Sequence, residues 1–515
     1  MQKHHLFTAV VIAPLLAMCW TSFLPAADYY VSNSGSDDHP GTCPAQPWKT
    51  ISRVNGFDFS PGDAIHFEKG GTWREQLVPH SGSEEGCVAY TSYGAGSKPL
   101  LLGSVEKNGP DDWTDEGQNI WSAGPFAHDV GNIIFNNGQA CGIKSWAKAD
   151  LDRQNEFWYD LENKVIAIYS DRNPAALYDD VECALTRHII SQGGKSHVVY
   201  DDLHLAYGAA HGIGGGDTHH VTVRNCDLCF IGGGHQYTAE TPRGPRPVRY
   251  GNGIEFWSSA HDNLVENCRV WDIYDAGLTN QGSGTNSQEN ICYRNNRVWN
   301  CEYSFEYWNR PNTSTTRNIR FENNVCFNAG GGWSHSQRPW PAGVHLMLFS
   351  NQAETQDFFI RNNVFHKAEN SFMNVHTGDW NGLENLVLEG NVHCQPADKV
   401  LAWWGEKSYP ASDFEAYQRE TGKDAGSKRV VFEGLAVSPG EMTLAAGETG
   451  KIKATGEYSQ DTAVDVTDFA SYASSDDEVA TVDAAGVVKG LHPGTAVLSV
   501  TFEETTATAP VTVRR

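Results

Sequence analysis

Positive charge is scarce in this chain: 38 Lys and Arg stand against 63 Asp and Glu, a formal net charge of -25. That deficit disfavours nucleic acid and anionic membrane as partners, since both are held through basic surface. Beyond the amino terminus no run is long and apolar enough to cross a bilayer. The twelve cysteines show no zinc-like spacing. Lys3, the apolar run from Leu6 to Met18 and the small pair Ala26-Ala27 read as a secretory leader over residues 1–27. Met18 before Cys19 makes a poor lipoprotein box. Removing Cys19 with the leader leaves an odd eleven, which excludes complete pairing. The expectation is a secreted protein, extracellular or periplasmic and monomeric.

Six copies of one phrase, strand then Asn-rich corner then strand, are present: VTVRNCDLCF, LVENCRVWDI, ICYRNNRVWN, IRFENNVCFN, FFIRNNVFHK and LVLEGNVHCQ. The corners fall at Asn225, Asn267, Asn295, Asn323, Asn362 and Gly390, in steps of 42, 28, 28, 39 and 28 residues. Repeats of this size bury their apolar faces only against neighbours, and Asn tolerates the left-handed backbone of a tight corner. An all-β, right-handed parallel β-helix is predicted. Asn296, Asn324 and Asn363 should form an inward asparagine ladder. Cys226 and Cys268 share one corner position, so they either pair or stack as small apolar groups; Cys43 and Cys87 are plausible partners near the start.

The opening, DYYVSNSGSD through PWKTI to PGDAIHF (28–67), resembles that of many secreted pectate-lyase-like β-helix proteins, which implies a short capping helix before the first coil. Residues 111–190 break the rhythm with alternating hairpin strands such as Glu156–Asp160 and Lys164–Tyr169. They are assigned to a small β-sandwich inserted in a solenoid domain spanning 28–431. Ser412–Thr421, closing at Gly422, reads as a helix that caps the far end. The tail, residues 432–515, carries SSD, VATVD, GVVKG and PGTA and resembles bacterial Ig-like group 2 domains. The resemblance implies a β-sandwich spacer or adhesion module and no catalysis.

Aligning the second strands (HGIGGGD, NGIEFWS, AGLTNQG, SFEYWNR, GVHLMLF, SFMNVHT, KVLAWWG) gives an inward column of Ile213, Ile254, Gly277, Phe305, Val344, Phe372 and Val400. Side chains alternate along a strand. The next column, holding Gly214, Glu255, Leu278, Glu306, His345, Met373 and Leu401, is therefore expected outside. Coils stack about 4.8 Å apart, so Glu306 and His345 are expected as neighbours, with Glu255 two coils away and Asp275 opening the strand between. Trp257 and Trp308 flank them. The two long repeats place their extra residues at 235–250 and 330–341, as walls carrying Arg243, Arg246, Arg249, His335 and Arg338, with Arg310 at a strand end.

A proton donor and a base or nucleophile, commonly two carboxyl groups, suffice to cleave a glycosidic bond. An outward Glu beside Trp and a second carboxylate has its pKa raised, as a general acid requires. Glu306 is the expected acid, Asp275 or Glu255 its partner, with His345 and His335 assisting. Trp257, Trp308 and the arginines would hold substrate. The segments YDAGLTNQG, FEYW, GGGWSHSQRP and FEAYQRETGKD resemble β-helix proteins of polysaccharide-degrading bacteria, a group that includes fucosidases, xylosidases and fucan-cleaving hydrolases. The resemblance implies a glycoside hydrolase, and the Arg- and His-rich walls favour an acidic polysaccharide, with a sulfated fucan as the candidate. A polysaccharide lyase on a uronate polymer is the alternative. The outward columns lack the Lys or Arg base of such enzymes, although Arg310 lies near. No cofactor is required by the hydrolase reading and no metal ligands are assigned; calcium is the one cation the acidic cluster admits. A non-catalytic adhesin is the third reading.

Overall fold

The computed structural model describes residues 26–242 and 244–515. The leader up to Pro25, and Arg243 in the first wall, lie outside the described residues. Three long sheets wrap around one another, each coil giving one strand to each sheet. The first has ten parallel strands from Asp28–Val31 to Leu386–Glu389, the second ten from Thr72–Trp73 to Lys428–Arg429. The third, called here the floor sheet, has nine, from Ile190–Ser191 to Lys407–Pro410, of which only the last runs antiparallel. This is the expected parallel β-helix.

The corner residues explain the coil. Asn225, Asn267, Asn295, Asn323 and Asn362 have φ of 54, 55, 57, 57 and 54°, and Gly390 has φ of 64°. Only residues tolerant of the left-handed region turn the chain there without steric cost. The next residue points inward. Asn296, Asn324, Asn363 and Asn391 each accept from the backbone N–H one coil before, at 2.9–3.0 Å. Each also donates from its amide nitrogen to the following ladder oxygen, ending on Asp424. The buried polar groups of the corner are thus satisfied internally. Inside the coil Tyr293, Phe305, Tyr307, Phe321, Phe365 and Phe372 form one continuous apolar core. Complete burial of such side chains contributes on the order of 1.5–3 kcal/mol each.

A short helix, Ile51–Asn55, capped by Thr50, covers one end, and the helix Phe414–Thr421 covers the other, capped by Asp413 and stopped at Gly422 in the left-handed region. All eleven cysteines among the described residues are free thiols; Cys43 and Cys87 do not pair, while Cys226 and Cys268 stack in the core. Between Ser104 and Leu185 the chain leaves the solenoid to build a four-stranded and a five-stranded sheet around Trp113, Phe135, Phe157, Ile166 and Ile168. The tail folds into three small sheets from Phe432 onward. It packs on the outer face of the second solenoid sheet. There Phe327 stacks on Phe469 (4.9 Å between ring centres), Arg269 and Arg297 pair with Asp468, and Tyr458 Oη meets His366 Nδ1 at 3.1 Å.

The register of the floor sheet differs from the expected columns. Ile254 pairs with Leu278, Leu278 with Phe305 and Phe305 with Leu346. The outward column is therefore Glu255, Thr279, Glu306 and Met347. The cause lies at the strand entrance, where two successive residues face inward before alternation begins. Gly212, Gly253 and Gly277 occupy the first of these positions in the early coils, and a Cβ on Gly253 would lie 2.4 Å from the Gly277 carbonyl oxygen. Ser304 and His345 continue that column. His345 is 1 % exposed, hydrogen-bonds Ser304 Oγ through Nδ1 at 2.9 Å and packs against Phe365. It is a core residue with its pKa pushed down to about 3 by burial and does not neighbour Glu306 in the cleft. Val344, expected inside, lies outside with Tyr303 and Met347.

Candidate active site

A cleft of about 740 Å³ opens above the floor sheet. Its floor comes from three consecutive strands, Ile254–Trp257, Ala276–Gly282 and Tyr303–Asn309. One wall is the antiparallel hairpin Gly234–Thr241 with Gly244–Tyr250. The other is the loop 330–341, which contains the short turn His335–Gln337. Glu255, Asp275 and Glu306 all line the space, as do Trp257, Trp308, Arg310, Arg338 and Arg249.

Glu306 is 5 % exposed and its Oε2 has no hydrogen-bond partner among the described residues. Burial, followed by the charges of Asp275 and Glu255, pushes its pKa well above the ordinary carboxylate range; Arg338 and a hydrogen bond from the Trp308 side chain oppose the rise. A carboxyl shifted in that direction holds its proton more tightly than an ordinary one. Asp275 opens the neighbouring strand, and its Oδ1 accepts from Arg338 Nη2 at 3.0 Å. Burial raises its pKa and Arg338 counters the rise. Trp257 and Trp308 meet edge to face, 5.4 Å between ring centres, and the Arg310 guanidinium lies 4.4 Å over the Trp308 ring. Half-buried aromatic rings at the edge of a cleft suit the apolar face of a sugar ring.

The expected site missed a second layer. His211 Nε2 reaches Glu255 Oε2 at 2.9 Å, while His211 Nδ1 accepts the Asn252 backbone N–H at 3.0 Å. The ring proton therefore sits on Nε2 and is donated to Glu255. Asn252 Nδ2 donates to the other oxygen of Glu255 at 3.4 Å. His188 stacks on His211 (4.9 Å) with its pKa lowered to about 4 by burial. Tyr303 and Tyr250 complete the lining. The signal for His211 was present: HGIG aligns with NGIE, so His211 stands one coil before Asn252.

Most of the wall arginines are committed to the scaffold. Arg249 donates to the Gly233 and Gly131 carbonyls and to Gln337 Oε1, at 2.7–2.9 Å, tying hairpin, insertion and loop together. Arg338 spans Asp275, the Tyr274 carbonyl and Glu302. His335 does not face the cleft; it holds the fully buried Glu302 through Nδ1 at 2.9 Å. Arg246 stacks 4.2 Å over Trp340 in an adjoining hollow that Trp146 also lines. Of the arginines lining the cleft, Arg249 and Arg310 have no carboxylate partner among the described residues, and only the Arg310 guanidinium, resting on Trp308, is not tied to the scaffold by hydrogen bonds. The three groupings whose spacing would suit a metal ion, among the described residues, lie away from the cleft.

Two kinds of similarity stand beside this geometry. In sequence, the chain is 31% identical over 94 residues to ice-binding protein 1 of Shewanella frigidimarina, 18% of this chain and 10% of that protein. It thus spans about a tenth of the length of that relative. In structure, a lacto-N-biosidase from Eubacterium ramulus overlaps 79% of this chain and 68% of its own at 14% identity and a TM-score of 0.36. An alginate lyase from Paenibacillus sp. str. FPU-7 overlaps 74% and 93% at 12% identity and a TM-score of 0.37. Overlaps of this size speak to neither chemistry nor substrate. Residues 431–513 match the bacterial Ig-like domain (group 2), and the carboxy-terminal unit of this chain belongs to that family.

Proposed function

We propose that the protein is a glycoside hydrolase in which Glu306 is the general acid and Asp275 the base or nucleophile. The observation that carries this is the divided environment of the two carboxyl groups. Glu306 is buried, has one oxygen free of partners and holds its proton more tightly than an ordinary carboxyl, while Asp275 one coil away leans on Arg338. Environments that separate two carboxyl groups in this way assign acid and base. Asp275 is preferred to Glu255 because both oxygens of Glu255 already accept hydrogen bonds, from His211 and Asn252. The Glu255–His211 pair is assigned to sugar hydroxyls beside the reacting bond.

The substrate is proposed to be a polysaccharide that runs from Trp257 and Trp308 into the adjoining hollow of Trp146 and Trp340. Trp340 is 60 % exposed and Trp146 43 %, a cost that a soluble protein tolerates where a ligand covers it. Acidic character is now supported by Arg310 and Arg246 alone, and a sulfated fucan-type chain is the proposed class. The leader-like amino terminus and the Ig-like unit support action outside the cell. Elimination on a uronate polymer is the second reading, favoured by the free guanidinium of Arg310. A cation there would compete with His211 and Arg338 for their carboxylates.

Purified protein and Glu306→Gln, incubated with fucoidans, pectins, alginate and carrageenans, separate these readings. New reducing ends without ultraviolet absorbance, lost in the variant, are expected. Absorbance rising with cleavage would make the protein a lyase and overturn the acid assignment.

A further inference from the structure

We infer that the corner between the floor sheet and the first sheet on two early coils, just past the floor strands Ile190–Ser191 and Ile213–Gly214, binds one divalent transition-metal ion through His197, His219 and His220. One ring nitrogen from each of these three lies within 4.8 Å of the other two, and the Nδ1 atoms of His219 and His220 are 3.0 Å apart. With metal–nitrogen bonds of about 2.1 Å, that separation corresponds to an angle of about 90° at the ion. Such an angle suits tetragonal or octahedral Ni²⁺ and Cu²⁺, and a small opening admits Zn²⁺.

The backbone argues the same way. His197 and His220 have φ of 54° each, and their column continues through Asp262, Asn290 and Asn318 at 54, 55 and 52°. In the later coils this column is an amide ladder, Asn318 donating to Asn290 and Asn290 to Asp262 at 2.8–2.9 Å. Asn and Asp are the non-glycine residues that enter this region most cheaply. Two imidazoles replace the ladder in the coils where a third imidazole stands alongside. His261, which is not itself a ligand, stacks on His219 at 4.8 Å with rings nearly parallel, and its Nδ1 meets Asp262 Oδ2 at 2.7 Å, so that His219 lies against a ring held in place. The cluster is half-buried to exposed, so an ion reaches it from solvent. Nitrogen donors select borderline metals over calcium or magnesium, and the ion would add a cross-link between coils already joined by the Arg224–Asp201 pair.

The test is calorimetric titration of Zn²⁺ and Ni²⁺ into the tag-free full chain, with Cu²⁺ followed by electron paramagnetic resonance for coupling to several nitrogens. One equivalent bound in the low micromolar range or tighter is expected. His219→Ala and His220→Asn should each lose at least tenfold in affinity, the second keeping a residue suited to the corner, while His492→Ala in the tail leaves binding unchanged. Melting curves establish that each variant folds. Binding absent in the parent, or undiminished in both corner variants, overturns the site.

Discussion

The charge of Asp275 raises the proton affinity of Glu306, which faces the same cleft from the next coil of the floor sheet. Neither group needs solvent to acquire its role; the spacing of coils and the exclusion of water by the walls suffice.

Replacing Glu306 by Gln keeps shape and neutral charge but removes the transferable proton. Turnover should fall by about 10²–10⁴, the usual worth of a positioned acid, while substrate affinity changes little. Single-turnover rates beside equilibrium binding check this.

The same carboxyl makes stability depend on pH. Its folded-state pKa is raised above the unfolded value, so its contribution is fully present below the unfolded pKa and is lost as pH rises through the folded one. Glu306→Gln has no such loss. The variant should melt above the parent at neutral and alkaline pH and draw level with it at acid pH, as thermal unfolding across the range would report.

Glu255 also raises the Glu306 pKa through its charge. In Glu255→Gln the alkaline limb of the pH–rate profile should move to lower pH. An unmoved limb would mean that another group donates the proton.

Arg338 is 13 % exposed at its side chain and serves both Asp275 and Glu302. Arg338→Met removes the countercharge of the half-buried Asp275 and one partner of the buried Glu302, which keeps His335, at a cost of about 3–5 kcal/mol. Adding Asp275→Asn should return part of that loss. Urea unfolding of the two single variants and the double variant measures the coupling.

His345 gives the contrasting case. His345→Leu should leave kcat within a few-fold of the parent, because the side chain faces Ser304 and Phe365. The stability change should stay within the ordinary 0.5–3 kcal/mol of core substitutions. A large loss of turnover in a folded variant would return His345 to the cleft.

The coil was readable because its cause is local: an Asn at each left-handed corner and another inward beside it announce themselves at fixed spacing. Glu255, Asp275 and Glu306 were readable for the same reason, since strand alternation and coil spacing carry residues to one face. The Gly column hid the register, as a glycine accepts either direction, and that placed His345 outside; His211 went unnoticed although its coil was aligned in register with Asn252. The arginines illustrate a different limit. Whether a loop guanidinium meets a ligand or the Gly131 carbonyl depends on contacts between segments more than a hundred residues apart.

The tail is bolted to the solenoid, with Arg269 and Arg297 clamped on Asp468 and Phe327 laid against Phe469. A module fastened so firmly cannot act as a slack leash. Any surface held by that module would set the heading of the cleft, which would then meet it at a constant angle, like a plane held in its stock.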